Sequence, residues 1–126
     1  NNDGFPDLVY ANRTYNPTQS DPLAQIPGDP RVLLNPGVDN AHWVQLDLVG
    51  NESNRDAIGT VVTVDDGSRS WLVEMGAGGG TNSSSERLLT IGLGSASEVD
   101  LEVRFPSGNI VRLTDLAVDQ RIEVVE

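Results

Sequence analysis

The sequence predicts an all-β protein, an antiparallel β-sandwich or barrel-like domain of about seven to nine short strands with minimal helix. Apolar and polar residues alternate along several short segments, which is the period of a strand with one buried face. Glycine, proline and aspartate residues separate these segments at nearly regular intervals. Only one short segment favours a helical turn, so the strands must supply the core.

A loop rich in proline and glycine divides the chain. Four prolines and two glycines fall between Asp21 and Asn40, and only residues 31–35 interrupt this loop composition. We therefore expect a first segment at residues 1–35, a linker at residues 36–40 and one β domain at residues 41–126.

The β domain opens with an alternating strand in which Val44, Leu46 and Leu48 share one face. Residues 58–65 and 68–75 should then form a hairpin, because Gly67 supplies the positive φ that the tight turn between them requires. A second hairpin should follow at the turn of residues 106–109. Its first strand should bury four alternating apolar residues, namely Val99, Leu101, Val103 and Phe105.

The remaining strands are expected on either side of that second hairpin, at residues 88–93 and 121–125. Residues 114–120 lack clear alternation, and Thr114 fits the cap of a single helical turn there.

The composition excludes several classes of partner. Nineteen acidic residues against eight basic ones give a formal net charge of -11, which repels nucleic acid and anionic membranes. Cysteine is absent, which excludes disulfides and thiolate chemistry. No apolar run approaches the ~18 residues needed to span a bilayer. We therefore expect no nucleic acid partner and no membrane insertion.

The N-terminal residues match the latter part of a calcium loop of the form D-x-[DN]-x-D-G-x-x-D. In such a loop, short acidic or amide side chains on a curved backbone aim several oxygens at one ion. The expected ligands are the side chains of Asn1, Asp3 and Asp7 and the backbone carbonyl of Phe5. The first acid of the loop would precede Asn1, so this chain should bind calcium weakly or not at all. The alternative is a simple solvated turn.

The sequence lacks the residues of a catalytic site. It holds one histidine, His42, and no nucleophile elbow. Asp65 and Asp66 are neighbours in a turn, where they should be solvated and cannot easily flank one substrate bond. Two glycine-rich stretches, at residues 76–81 and 92–97, lack the following helix that a phosphate site needs, so strand bulges are the better interpretation. We expect no enzymatic activity.

A polar group formed by Asn54, Arg55 and Asp56 stands directly before a predicted strand. Because arginine commonly pairs with nearby carboxylates, we expect Arg55 and Asp56 to lock this loop. Ligand binding is the alternative.

Residues 43–125 resemble the ASPIC/UnbV domain, and residues 1–35 resemble the end of an FG-GAP or VCBS-type repeat. The segments that carry the first resemblance are Asn-Arg-Asp-Ala-Ile-Gly (54–59), Gly-Gly-Gly (78–80), Gly-Leu-Gly (92–94), Phe-Pro-Ser-Gly (105–108) and Asp-Gln (119–120).

This resemblance implies a secreted or cell-surface protein of the cartilage acidic protein type, in which FG-GAP repeats form a calcium-binding, integrin-like β-propeller and this domain follows it. It implies no catalytic activity. The expected function is a non-enzymatic interaction or structural module, as in cell adhesion. Its expected partners are an unknown extracellular protein or glycan and the upstream propeller. The alternative is a glycan-binding or accessory module of a secreted hydrolase, which exposed aromatic side chains would distinguish.

Overall fold

The structure is a computed structural model that describes residues 3–11, 13–15, 25–79 and 86–126. It divides into two compact units, Asn1–Gly37 and Val38–Glu126, and the division falls within the residues predicted as a linker. The described residues form eleven strands and contain no helix, so none of them belongs to a helix that could cross a membrane. The predicted all-β class is confirmed.

The first unit contains two short antiparallel pairs. β1 (Leu8–Tyr10) pairs with β4 (Arg31–Leu33), and β2 (Arg13–Tyr15) pairs with β3 (Gln25–Pro27). Successive residues of a strand point to opposite faces, and both faces of the β1–β4 pair expose apolar side chains. These side chains are Leu8, Val9, Val32 and Leu33.

The second unit is sandwich-like and consists of two sheets. Its strands are β5 (His42–Val49), β6 (Val61–Asp65), β7 (Ser70–Glu74), β8 (Leu89–Gly94), β9 (Glu98–Arg104), β10 (Ile110–Ala117) and β11 (Gln120–Val125). One sheet has the order β10-β9-β6-β7 and is antiparallel throughout. The other has the order β11-β5-β8, in which β11 is parallel and β8 antiparallel to β5.

Alternating side chains of both sheets form the core of the second unit. The four residues predicted to face inward before the second hairpin turn, three on β9 and Phe105 directly after it, are all buried, at 0 to 2 % exposure, which confirms that prediction. Val44, Leu46 and Leu48 of β5 are buried as well. Between the inward residues, Glu102 points outward and forms ion pairs with Arg104 and Arg112. The alternation therefore separates a buried apolar face of β9 from an outer charged face.

Both predicted hairpins are confirmed. β6 and β7 pair around the turn that holds Gly67, whose φ of 79° lies in the left-handed region. β9 and β10 pair around the turn that holds Gly108, with a φ of 101°. Only glycine adopts such angles without a steric penalty, so the two glycines fix where the strands reverse.

The prediction of a helical turn at residues 114–120 is wrong. β10 continues to Ala117, and its register with β9 shifts between Leu113 and Leu116, where Asp115 has a φ of 53°. Both leucines pack against the core despite this irregularity. Their spacing of three residues departs from strand alternation because a bulge lies between them.

The parallel pairing of β11 with β5 also departs from the predicted antiparallel arrangement. Gln120 lies opposite Val44, so 76 residues separate the paired positions. Parallel strands need a long crossover connection, and here the whole of the other sheet lies within it.

Candidate functional site

The loop of residues 50–59 is tied to the end of the chain by one carboxylate. The backbone N–H groups of Asn51, Glu52 and Ser53 all donate to Oε2 of Glu126, at 2.8, 2.8 and 2.7 Å. Successive N–H groups that converge in this way form a concave anion site. Glu126 thus occupies with its own side chain a position that suits an anion.

The other oxygen of Glu126 ties a second turn to the same place. Its Oε1 accepts hydrogen bonds from the hydroxyl groups of Ser53, at 2.8 Å, and of Ser107. The Ser53 hydroxyl oxygen also accepts the N–H of Ser107, at 3.0 Å. We call this arrangement of residues 51–53, Ser107 and Glu126 the carboxylate clip.

The clip changes the acidity of its carboxyl group. Desolvation acts to raise the pKa of Glu126, but hydrogen bonds from the Ser107 hydroxyl, the Ser53 N–H and hydroxyl and the Asn51 N–H outweigh it. Together they hold that pKa at about 2. The carboxylate is therefore ionised across the physiological range of pH.

Asn54 fixes the second half of the loop. Its side-chain amide donates to the carbonyl of Ile58 at 2.8 Å, and its side-chain oxygen accepts the Ile58 N–H at 2.9 Å. Between them Ala57 is fully buried with a φ of 50°, a left-handed conformation that a non-glycine residue keeps only when its surroundings enforce it. At Gly50 a Cβ atom would lie 2.2 Å from the Asn54 carbonyl oxygen, so this end of the loop requires glycine.

Arg55 and Asp56 do not lock the loop as a pair, contrary to the prediction. Asp56 forms an ion pair with Arg87 instead. Arg55 is exposed, and within the part of the chain that the structure describes its guanidinium has no hydrogen-bond or ion-pair partner. Only its backbone takes part, since its carbonyl accepts the Gly50 N–H at 3.2 Å.

A family model described as ASPIC and UnbV matches residues 50–126, which is more than half of the chain and begins at the loop just described. The chain belongs to the ASPIC and UnbV family. The match does not include residues 1–35. Neither a curated protein nor a solved structure matches the chain significantly.

In this ASPIC and UnbV domain, four of the five segments that carry the resemblance lie at two places. Residues 54–59 directly follow the loop residues of the carboxylate clip, and residues 105–108 contribute Ser107 to it. Residues 92–94 pair with the start of β5, where Asp119 is bonded. Two residues of the clip, Ser53 and Glu126, were not predicted from the sequence. They are 73 residues apart, and no local sequence pattern marks a carboxylate that binds so distant a loop.

The second place contains a histidine–carboxylate pair. Nδ1 of His42 lies 2.7 Å from Oδ2 of Asp119, and the other oxygen of Asp119 accepts the N–H of Trp43 at 3.2 Å. Asp119 itself has a φ of 59°, which turns the chain from β10 into β11. The pair joins β5 to this turn.

The two turn carboxylates are structural rather than freely solvated, which corrects the expectation for Asp66. Its side chain is only 11 % exposed and accepts the N–H groups of Ser68 and Arg69 through Oδ1. Asp65 accepts the N–H of Gly67. Both carboxylates hold the β6–β7 turn.

The predicted calcium ligands lie in the first unit. Asp3 accepts the N–H of Phe5 at 3.0 Å through Oδ1, and Asp7 accepts the N–H of Asn35 at 2.8 Å. Asn1 lies outside the described residues. Across the described ranges, the structure groups no three His, Cys, Asp or Glu side chains in a way that could hold a metal ion.

Proposed function

We propose that this ASPIC and UnbV domain is a non-enzymatic extracellular interaction module that binds another protein through Arg55. The observation that carries the proposal is the contrast between the loop and this side chain. The loop of residues 50–59 is bonded from several sides, and the Arg55 guanidinium is exposed without a described partner.

The fixed loop lowers the cost of binding. A flexible loop loses conformational entropy when a partner orders it, whereas a loop that is already ordered loses little. The carboxylate clip holds residues 51–53, and Asn54 together with the buried Ala57 holds the remainder. Arg55 is therefore presented from a backbone of defined shape.

The chemistry of arginine indicates the partner group. A guanidinium offers planar, paired N–H donors that match a carboxylate, and arginine is enriched among the residues that dominate protein interfaces. We infer that Arg55 binds an Asp or Glu side chain of an extracellular protein.

Arg55→Ala tests this proposal. We expect the variant to keep its free energy of unfolding within about 0.5 kcal/mol, because an exposed and unpaired side chain adds little stability. Loss of a charge-assisted hydrogen bond should weaken binding about 10- to 100-fold. A photo-crosslinking amino acid at the exposed Glu52 would identify the partner in medium from the producing cells, and titration with that purified partner would give the affinity.

Arg112→Ala is the matched control, because Arg112 is also exposed but lies on β10 and pairs with Glu102. This variant should bind the partner as the original chain does. An Arg55→Ala protein that binds equally well, or that loses several kcal/mol of stability, would contradict the proposal.

The expected non-enzymatic role is supported by how the polar side chains are used. His42 is bonded to Asp119, and Asp65 and Asp66 hold a turn. Each of these groups therefore has a structural role that accounts for its position.

We further propose that the first unit belongs to a calcium-binding, integrin-like β-propeller of FG-GAP type. The exposed apolar residues on both faces of β1 and β4 support this, since a two-stranded pair is marginal alone and such side chains favour burial against further β structure. Gly4, with a φ of 89°, and the bond from Phe5 to Asp3 curve the loop as a calcium site requires.

Calcium binding should depend on an acidic residue two positions before Asn1. We expect weak or no binding to this chain by calorimetry, and at least tenfold tighter binding after extension by Asp-Ser before Asn1, since affinity rises with the number of charged ligands. Extension by Ala-Ser is the control and should give no gain. If the Asp-Ser chain also fails to bind, the loop is only a turn.

A further inference from the structure

The outer face of the three-stranded sheet carries a row of partly buried side chains along β5. On β5 the residues between the buried positions point outward, and they are Trp43, Gln45, Asp47 and Val49. At ~3.3 Å per residue this row is about 20 Å long, enough for several sugar rings.

Two of these side chains are held by neighbours on the adjacent strands. Nε2 of Gln45 donates to the Thr90 hydroxyl on β8 at 3.3 Å, and Nη2 of Arg121 on β11 donates to Asp47 at 2.6 Å. Each of these groups keeps further hydrogen-bonding capacity. The face therefore offers amide, hydroxyl, guanidinium and carboxylate groups whose positions are already set.

Trp43 stands at one end of this row beside a gap. Its partner across the strands is Gly92, and a Cβ atom built on Gly92 would meet nothing within 4 Å. The register shift between His42 and Trp43 leaves Leu93 as an extra residue next to this pair. The indole is thus not covered by a side chain from Gly92.

The other large aromatic side chains are used differently. Phe105 is buried in the core. Trp71 packs against the core, and the Arg69 guanidinium lies 4.7 Å from the centre of its ring. Trp43 is therefore the tryptophan whose strand position places it on an outer sheet face.

We propose that the outer face of the three-stranded sheet binds a neutral glycan, with Trp43 against one sugar ring and the bonded polar side chains of β5, β8 and β11 donating to and accepting from sugar hydroxyls. A sugar ring combines an apolar face with hydroxyl groups, and an aromatic ring beside paired polar side chains matches both. The net charge of -11 disfavours acidic sugars. On this face the acidic Asp47 and Glu123 outnumber Arg121, the one cation among the described residues of β5, β8 and β11 that point outward. This surface is distinct from the Arg55 loop.

Two substitutions test the role of the Trp43 indole, one by removing it and one by obstructing the space beside it. Trp43→Ala removes the indole, and Gly92→Leu places a side chain in the open space beside it, where a Cβ atom would meet no other atom within 4 Å. Calorimetry with cellohexaose, xylohexaose, mannohexaose and chitohexaose should show binding of at least one by the original chain, and either substitution should weaken that binding tenfold or more. Circular dichroism and urea unfolding would verify that both variants fold.

A matched pair of arginines provides the control. Arg121→Ala should weaken binding, whereas Arg112→Ala should not, although both arginines are exposed and ion-paired. Arg55→Ala should leave glycan binding unchanged, so that failure of this proposal and failure of the Arg55 proposal are separable. The inference is overturned if no neutral hexasaccharide binds, if an oligogalacturonate binds better than all of them, or if folded Gly92→Leu binds as the original chain does.

Discussion

Replacing Phe105 by alanine should destabilise the second unit by about 3–5 kcal/mol. The ring is 1 % exposed, and it is the largest of the fully buried side chains. Its removal forfeits the burial of the ring and leaves a cavity that the two sheets close only in part. Because domains of this kind are stable by about 5–15 kcal/mol, the variant should lose a large fraction of its folded stability. Urea unfolding followed by circular dichroism measures the change.

Leu72→Ala is the control for this experiment. Leu72 lies on β7 and is 67 % exposed, so the same kind of truncation should change stability by no more than about 0.5 kcal/mol. A Phe105→Ala cost near that of Leu72→Ala would show that the ring is not in the core.

Glu126→Gln should destabilise the domain at neutral pH, and the difference from the original chain should disappear in acid. The glutamine side chain has no negative charge for the backbone N–H groups of residues 51–53 to bind. Its NH2 group can also only donate, so in one of its two orientations it faces other N–H donors and forms no hydrogen bond with them. In the folded chain the pKa of Glu126 is about 2, below the ordinary value of 4.5. The stability that this shift contributes is therefore complete above pH 4.5 and is lost as the pH falls towards 2.

The free energy of unfolding, measured in urea at several values between pH 2 and pH 7, checks this expectation. The curves of the two proteins should converge as the pH falls. Glu123→Gln is the control, because Glu123 lies on β11 and has no hydrogen-bond partner among the described side chains. Its stability should stay close to that of the original chain. If the difference in free energy of unfolding between Glu126→Gln and the original chain stayed constant from pH 7 to pH 2, the ionised Glu126 carboxylate would not be the stabilising group.

The parts of the fold that could be predicted are those with local causes. Val99 and its alternating neighbours reveal a strand because burial on one face acts on every second residue. Gly67 and Gly108 reveal the turns because their φ angles exclude most other residues. The shift between Leu113 and Leu116 breaks the alternation, and for this reason the last part of β10 was mistaken for a helical turn.

The candidate site depended on contacts that local patterns do not contain. Asn54 was noted only as a member of a polar group, although its partner Ile58 is just four residues away. Arg55 and Asp56 are adjacent in sequence, but Asp56 pairs with an arginine 31 residues later and Arg55 remains exposed. The bond from Ser53 to Glu126 joins opposite ends of the domain, so only the assembled sheets bring the two residues together.

The pairing of β11 with β5 affects how this domain forms on the ribosome. During synthesis β5 emerges before the other six strands of the second unit, and β11 emerges last. The hairpins β6–β7 and β9–β10 join residues close in sequence and need little chain to form. One long edge of β5 gains its neighbour only when β11 and Glu126 leave the exit tunnel. The nascent domain therefore exposes an unpaired strand edge until translation reaches these residues, the stage at which a growing β protein is most open to association with other chains.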